Sequence, residues 1–113
     1  MRIAFTTSGT HWQSKIDPRF GRTEYIGIYD DKTDDLEFID NRLTTGENHG
    51  AGTKTAKLLF DLSPDVLITG NGPGSNAAVV LDRLNLEIYT GAGEMTVKEA
   101  YTAYKEKELT KVS

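Results

Sequence analysis

The chain switches between two periods of apolar residues. Ile3-Ala4-Phe5 is an unbroken apolar triplet, the composition of a central strand covered on both faces. Thr23 to Asp30 alternates instead, with Ile26 and Ile28 on one face and Tyr25 and Tyr29 on the other. Asp35 to Asn41 also reads as a strand, with Leu36 and Phe38 opposite Ile39. The turn Asp31-Lys32-Thr33-Asp34 between them is short enough for an antiparallel hairpin. From about Gly50 the period becomes helical: Ala56, Leu59, Phe60 and Ser63 share one stripe, and Pro64 ends it. Val66-Leu67-Ile68 is a further buried strand closed by Gly70, and Ala77, Val80, Leu81 and Leu84 follow the i, i+3, i+4, i+7 rule of an amphipathic helix. Leu86-Glu87-Ile88-Tyr89 predicts the last strand. Thr96-Val97-Lys98-Glu99 has the form of a capping box, and Val97, Ala100, Tyr101 and Tyr104 continue one apolar face behind it.

This order (strand, hairpin, helix, strand, helix, strand, helix) predicts an α/β fold with a five-stranded mixed sheet, only the second strand running antiparallel. Strands one, three, four and five then end on one rim. The connections leaving it are residues 8–22, 42–49, 70–75 and 91–95. The unusual residues gather there: His11, Trp12, Arg19-Phe20-Gly21-Arg22, His49-Gly50-Ala51-Gly52, Gly70 to Asn76 and Gly91-Ala92-Gly93. Ligands in open α/β sheets bind outside the carboxyl ends of strands, so this rim is the predicted site.

Composition narrows the chemistry. At 113 residues the expectation is one domain spanning residues 1–113. The absence of cysteine excludes disulfides, thiolate zinc sites and cysteine-held iron–sulfur clusters. Thirteen basic against seventeen acidic residues, net charge -4, argue against nucleic acid as a partner. The opening apolar run is too short for a signal peptide, and no apolar stretch is long enough to span a bilayer. A cytoplasmic protein without membrane partners is expected.

Each feature on the rim has two readings. Gly70-Asn71-Gly72-Pro73-Gly74-Ser75 follows a strand and opens a helix, so its N–H groups suit an anion; a tight strand–helix turn asks for the same glycines. His49 precedes glycines that let a ligand approach the backbone, yet a lone loop histidine is commonly a surface residue. Arg19 and Arg22 suit multiply charged anions, or salt bridges to neighbouring carboxylates. Asp30, Asp31, Asp34 and Asp35 fall on the hairpin tip, where a solvated acidic turn is the plain reading. No catalytic triad, paired catalytic carboxylates or metal triad assembles on the rim.

Several spaced motifs in order carry a resemblance across nearly the whole chain. They are Ile3-Ala4-Phe5, Asp17-Pro18-Arg19-Phe20-Gly21-Arg22, His49-Gly50-Ala51-Gly52, Asp65-Val66-Leu67-Ile68-Thr69-Gly70 with its Gly-Pro turn and Asn76-Ala77, and Leu86-Glu87-Ile88-Tyr89 before Gly91. Together they resemble the dinitrogenase iron–molybdenum cofactor-binding domains of NifX, NafY and the C-terminus of NifB. The resemblance implies a three-layer α/β/α, ribonuclease H-like fold. It also implies a non-enzymatic accessory role: binding or carrying an iron–molybdenum cofactor, or an iron–sulfur cluster precursor, in company with nitrogenase or cluster-assembly proteins. Carried over by residue, His49 is the implied metal ligand, Arg19 and Arg22 face the negative cluster, and Gly50, Gly52, Gly72 and Gly74 let the backbone close on it, with Asn76 beside them. The chain departs from the pattern in two places. Gly74 and Ser75 stand between Pro73 and Asn76, where Asn usually follows Gly-Pro directly. Arg19 and Glu47 stand where many members have histidine.

Two other functions fit the residues. One is an anion or phospho-metabolite binding domain, or a weak hydrolase, built on the 70–75 turn and the two arginines. The other is a protein–protein adaptor anchored by Trp12 and Phe20.

Overall fold

A computed structural model of the chain describes residues 1–42, 51–73 and 81–112. Its strands are β1 (Arg2–Thr7), β2 (Tyr25–Asp30), β3 (Asp35–Asp40), β4 (Val66–Ile68), β5 (Glu87–Thr90) and β6 (Thr110–Lys111). Among the described residues two helices accompany them, α1 (Ala51–Leu62) and α2 (Val97–Lys105). The second helix expected from sequence, around Ala77 to Leu84, lies mostly outside the described residues.

The sheet order is β3-β2-β1-β4-β5-β6. β1 pairs in parallel with β4, and β4 with β5, while β2 runs antiparallel to both β1 and β3. β1, β3, β4 and β5 therefore share one direction, as the hairpin and crossover logic requires.

The sheet has six strands, not five. β6 pairs antiparallel to β5 through Tyr89↔Lys111 and Thr90↔Thr110. Two exposed polar residues carry no alternation to read. The pairing is made by a chain reversal after α2, where Lys107 takes a left-handed φ of 62°, and by the Lys111 Nζ to Glu87 Oε1 ion pair at 3.1 Å.

Alternation along the strands divides the core by face. Ala4, Ile26, Ile28, Leu67 and Ile88 pack with Ala56 and Leu59 of α1. Ile3, Phe5, Val66 and Ile68 pack with Val97 and Ala100 of α2. The α1 stripe is narrower than its sequence suggests. Ala56 and Leu59 are buried, but Phe60 is 49% exposed, because it lies one position past the inward face. Gly27 is a packing position on the α2 face, where a Cβ would stand only 3.0 Å from a ring carbon of Phe38.

The predicted capping box at α2 is present. Thr96 Oγ1 accepts from the Glu99 N–H at 3.1 Å, and the Glu99 carboxylate accepts from the Thr96 N–H at 2.9 Å. These bonds hold the Glu99 carboxyl below its ordinary range. Thr96→Ala is expected to cost about 1 kcal/mol, a melting temperature lower by about 4 °C in a thermal circular-dichroism scan. An unchanged melting temperature would show that the box contributes nothing. Among the described residues no helix is long and apolar enough to cross a membrane.

Candidate functional site

The long loop after β1 does two separate jobs. It leaves at Thr7 and returns beside it, with Thr7 and Ile16 forming an isolated antiparallel bridge and the Ser8 N–H donating to the Lys15 carbonyl at 3.0 Å. The outward part folds back over the α2 face. There the Ser14 carbonyl accepts from the Val97 N–H at 2.8 Å and the Trp12 carbonyl from the Lys98 N–H at 3.0 Å. With Thr96 capping Glu99, the first three N–H groups of α2 all have partners within the chain. That helix terminus offers no donors to an anion.

The Trp12 ring belongs to the same packing. It meets Tyr29 edge-on at 5.0 Å and Tyr101 at 6.2 Å. Trp12 thus lies over the sheet face and not on the rim where the sequence argument placed it. Tyr29 also donates its hydroxyl to Asp34 Oδ1 at 2.7 Å, and this bond, with burial behind it, pushes the phenol up to about 12.

The returning part of the loop builds the rim. The Ile16 N–H donates to the Met95 carbonyl and the Asp17 N–H to the Thr6 carbonyl, each at 2.8 Å. Thr6 donates its hydroxyl to the Asp17 carbonyl at 2.8 Å, which leaves the Thr69 hydroxyl as donor in the 2.7 Å contact between the two threonines. The Asn71 N–H reaches the Pro18 carbonyl at 2.8 Å, and the Gly91 N–H the Gly70 carbonyl at 3.1 Å. Three connections, after β1, β4 and β5, are thereby knitted into one surface.

Gly70 is required at their meeting point. A Cβ there would lie 2.6 Å from Pro18 Cα and 2.9 Å from Gly93 Cα. Gly91 is required for another reason, its φ of +99°. A second polar knot ties in α1: Thr55 donates to the Gly21 carbonyl, and the Asn41 amide donates to Thr55 Oγ1 and to the Thr23 carbonyl, each at 3.0 Å.

A groove of about 420 Å³ opens on this rim, lined by Lys15, Asp17, Pro18, Arg19, Gly93 and Glu94 among others. Asp17 is 2% exposed. Its Oδ1 accepts from the Arg19 N–H and from Arg19 Nε, both at 3.0 Å; its Oδ2 accepts from Arg19 Nη2 at 3.1 Å and from the Glu24 N–H at 3.2 Å. The Arg19 side chain is 54% exposed, and the bonds to Asp17 raise its pKa further. Asp40 and Arg42 repeat the arrangement at the end of β3, with distances of 2.9, 3.0 and 2.8 Å. There the bonds from Arg42 lower the Asp40 carboxyl to about 2, and the guanidinium sits 5.3 Å from the Tyr25 ring centre.

Of the residues singled out from sequence, Arg19 lines the groove. Arg22 is half-buried in the same loop, Gly52 falls in the first turn of α1, and Gly72 follows β4 on the same rim. A Cβ on Gly72 would meet only Thr90 Cγ2, at 3.8 Å, so sterics do not demand glycine there. His49, Gly50, Gly74 and Asn76 lie outside the described residues. Phe20 is 4% exposed and packs in the α1-side core, so it is not a surface anchor. The adaptor reading therefore loses Phe20, while Trp12, packed against two tyrosines, stays partly exposed on the α2 face.

Sequence reasoning passed over Asp17 and Lys15. The available signal was an aspartate two residues before an arginine across a proline, since Pro18 carries no N–H and leaves the aspartate oxygens to the residues that follow. Among the described residues no group of three His, Cys, Asp or Glu side chains could hold a metal ion.

The class defined so far is a mixed α/β fold with a ligand-sized groove at the carboxyl rim of its sheet. The model of the family "dinitrogenase iron-molybdenum cofactor" matches residues 1–107, and the chain belongs to that family. Among solved structures, the chain is similar to the apo form of the orange protein from Desulfovibrio gigas. The identity is 28% and the TM-score 0.91, over 99% of this chain and 92% of that one. It is also similar to a candidate NifB protein from Thermotoga, at 32% identity and a TM-score of 0.82, over 97% of this chain and 91% of that one. No curated protein matches the chain.

Proposed function

We propose that this chain is a single domain of the three-layer, ribonuclease H-like type. Its role is to bind and hand on an anionic metal–sulfur cofactor, of the iron–molybdenum type or an iron–sulfur precursor, without turnover of its own. The observation that carries this reading is that the loops after β1, β4 and β5 are bonded into one rim, with a groove between those after β1 and β5, in a member of a cofactor family. The similarity to a protein whose structure was solved in an apo form supports it.

The donor set fits a cluster held chiefly by its outer anionic atoms. There are no thiolates in the chain, and the described rim offers a guanidinium, an ammonium and backbone. His49 would supply one imidazole ligand, while Arg19 and Arg22 would face the negative shell. Gly50, Gly52, Gly72 and Gly74 would let the main chain close in, with Asn76 beside them. Partners on this reading are nitrogenase or cluster-assembly proteins in the cytoplasm, and neither nucleic acid nor membrane.

Anaerobic mixing with isolated iron–molybdenum cofactor, followed by gel filtration, tests it. Wild type should elute with iron and molybdenum bound, and His49→Ala should retain about tenfold less, the loss of one ligand bond. Elution of the wild type free of both metals would end the proposal.

A further inference from the structure

Among the described residues, Arg19 is held by one of its two edges. The edge formed by Nε and Nη2 is clamped in parallel on the two oxygens of buried Asp17. The remaining donors, on Nη1 and the outer side of Nη2, belong to a side chain that is 54% exposed and lines the groove. A guanidinium clamped on one edge keeps its other edge in a set plane, so a ligand there does not have to order a free arginine.

We propose that Asp17 is a positioning residue. It fixes Arg19 so that the outer edge presents a preset two-pronged donor, and this donor grips an anionic group with two acceptor atoms in the groove. The inference deepens the carrier reading and rests on it only for the identity of the full ligand. Charge alone does not explain such a grip. Asp17 neutralises Arg19, and the Lys15 ammonium donates to the Glu94 backbone carbonyl at 3.4 Å, in a groove whose lining holds two acids, Asp17 and Glu94, beside its two cations. Recognition therefore falls to geometry, with the fork matching paired oxygen or sulfur atoms. Two kinds of ligand atom have that shape: the paired oxo or thio atoms of a metal centre, and the carboxylate of an organic acid.

The test uses the full chain, 15N-labelled, titrated separately with molybdate and with citrate while the Arg19 Nε–H and groove amide signals are followed. Saturable shifts with molybdate alone identify the metal-centred anion; shifts with citrate alone identify the organic acid. Arg19→Lys keeps the charge and loses the fork, so it should weaken binding about tenfold or more, as much as Arg19→Gln does. Arg42→Lys removes the matching exposed fork outside the groove and should bind as wild type does. Before any ligand is added, the Arg19 Nε–H of wild type should exchange slowly with water, and in Asp17→Asn it should exchange fast while affinity falls as in Arg19→Lys.

Rapid Nε–H exchange in the wild type overturns the clamp even if Asp17→Asn fails to fold. Arg19→Lys binding within about threefold of wild type overturns the fork in favour of simple charge. Retention of cofactor on gel filtration with neither probe bound would sink the fork and leave the carrier reading standing. Probe binding without cofactor retention would do the reverse.

Discussion

Gly70→Ala is expected to lower the melting temperature by about 10 °C and to close the groove against ligand. The new methyl would be driven against Pro18 Cα and Gly93 Cα, at 2.6 and 2.9 Å. Both are backbone atoms that cannot rotate away. They are held in turn by the Asn71–Pro18 and Gly91–Gly70 hydrogen bonds. Overpacking a tight site costs typically 1–3 kcal/mol, and with two main chains to displace the upper end, about 3 kcal/mol, is appropriate. For a chain of this size that converts to about 10 °C. Gly72→Ala is the internal control. Its Cβ would make an ordinary 3.8 Å contact with Thr90, so a change within about 0.5 kcal/mol is expected. Thermal scans of both variants check the pair. Equal melting temperatures would mean that the three loops do not meet as described.

Trp12→Ala carries the second large effect, a loss of about 3 kcal/mol measured by urea unfolding. The indole is packed on Tyr29 and Tyr101, and the strand of loop it anchors supplies two of the carbonyls that satisfy the first turn of α2. Removing it frees the loop and uncaps the helix together. A residue serving only as a docking anchor would behave differently, since its truncation would leave the unfolding midpoint in place and weaken a partner. Trp12→Phe, which restores an aromatic edge against Tyr29, should recover most of the loss. An unaltered midpoint in Trp12→Ala would contradict the staple. The chain has a single tryptophan, so wild-type indole fluorescence should also report release of this loop in step with global unfolding by circular dichroism.

Both predictions come from places where the sequence was legible in kind but not in detail. The glycines around position 70 stood out from the letters, but nothing in the letters told Gly70 from Gly72. One faces another segment's backbone and the other a methyl at ordinary distance. Trp12 stands out too, and the start of its loop at the rim predicts a place there. A loop of that length can turn back over the sheet, and the open donors of α2 drew it there. Phe20 in the same loop points into the core, because the chain crosses from one face to the other while passing over the strand ends. For Arg19 the sequence left an anion site and an internal salt bridge both open. The structure makes the salt bridge with one edge and leaves donors on the other.

What the sequence determined alone was everything carried by local period and local caps. The unbroken apolar run of β1, the alternation of β2, the reversal at the acidic turn, the stop of α1 at Pro64 and the capping box of α2 each depend on residues within about two turns of one another. So does the shared direction of β1, β3, β4 and β5, once hairpin and crossover geometry are applied. Tertiary structure decided the rest. β6 exists because β5 offers an open edge to two residues with no strand pattern of their own. Asp17 is buried because the Glu24 N–H and the Thr6 hydroxyl close on it, and Thr6 is itself held by Thr69, 63 residues further along the chain. Long-range pairing is invisible to local pattern, since the partner that stabilises it lies tens of residues away and only folding brings the two within bonding distance.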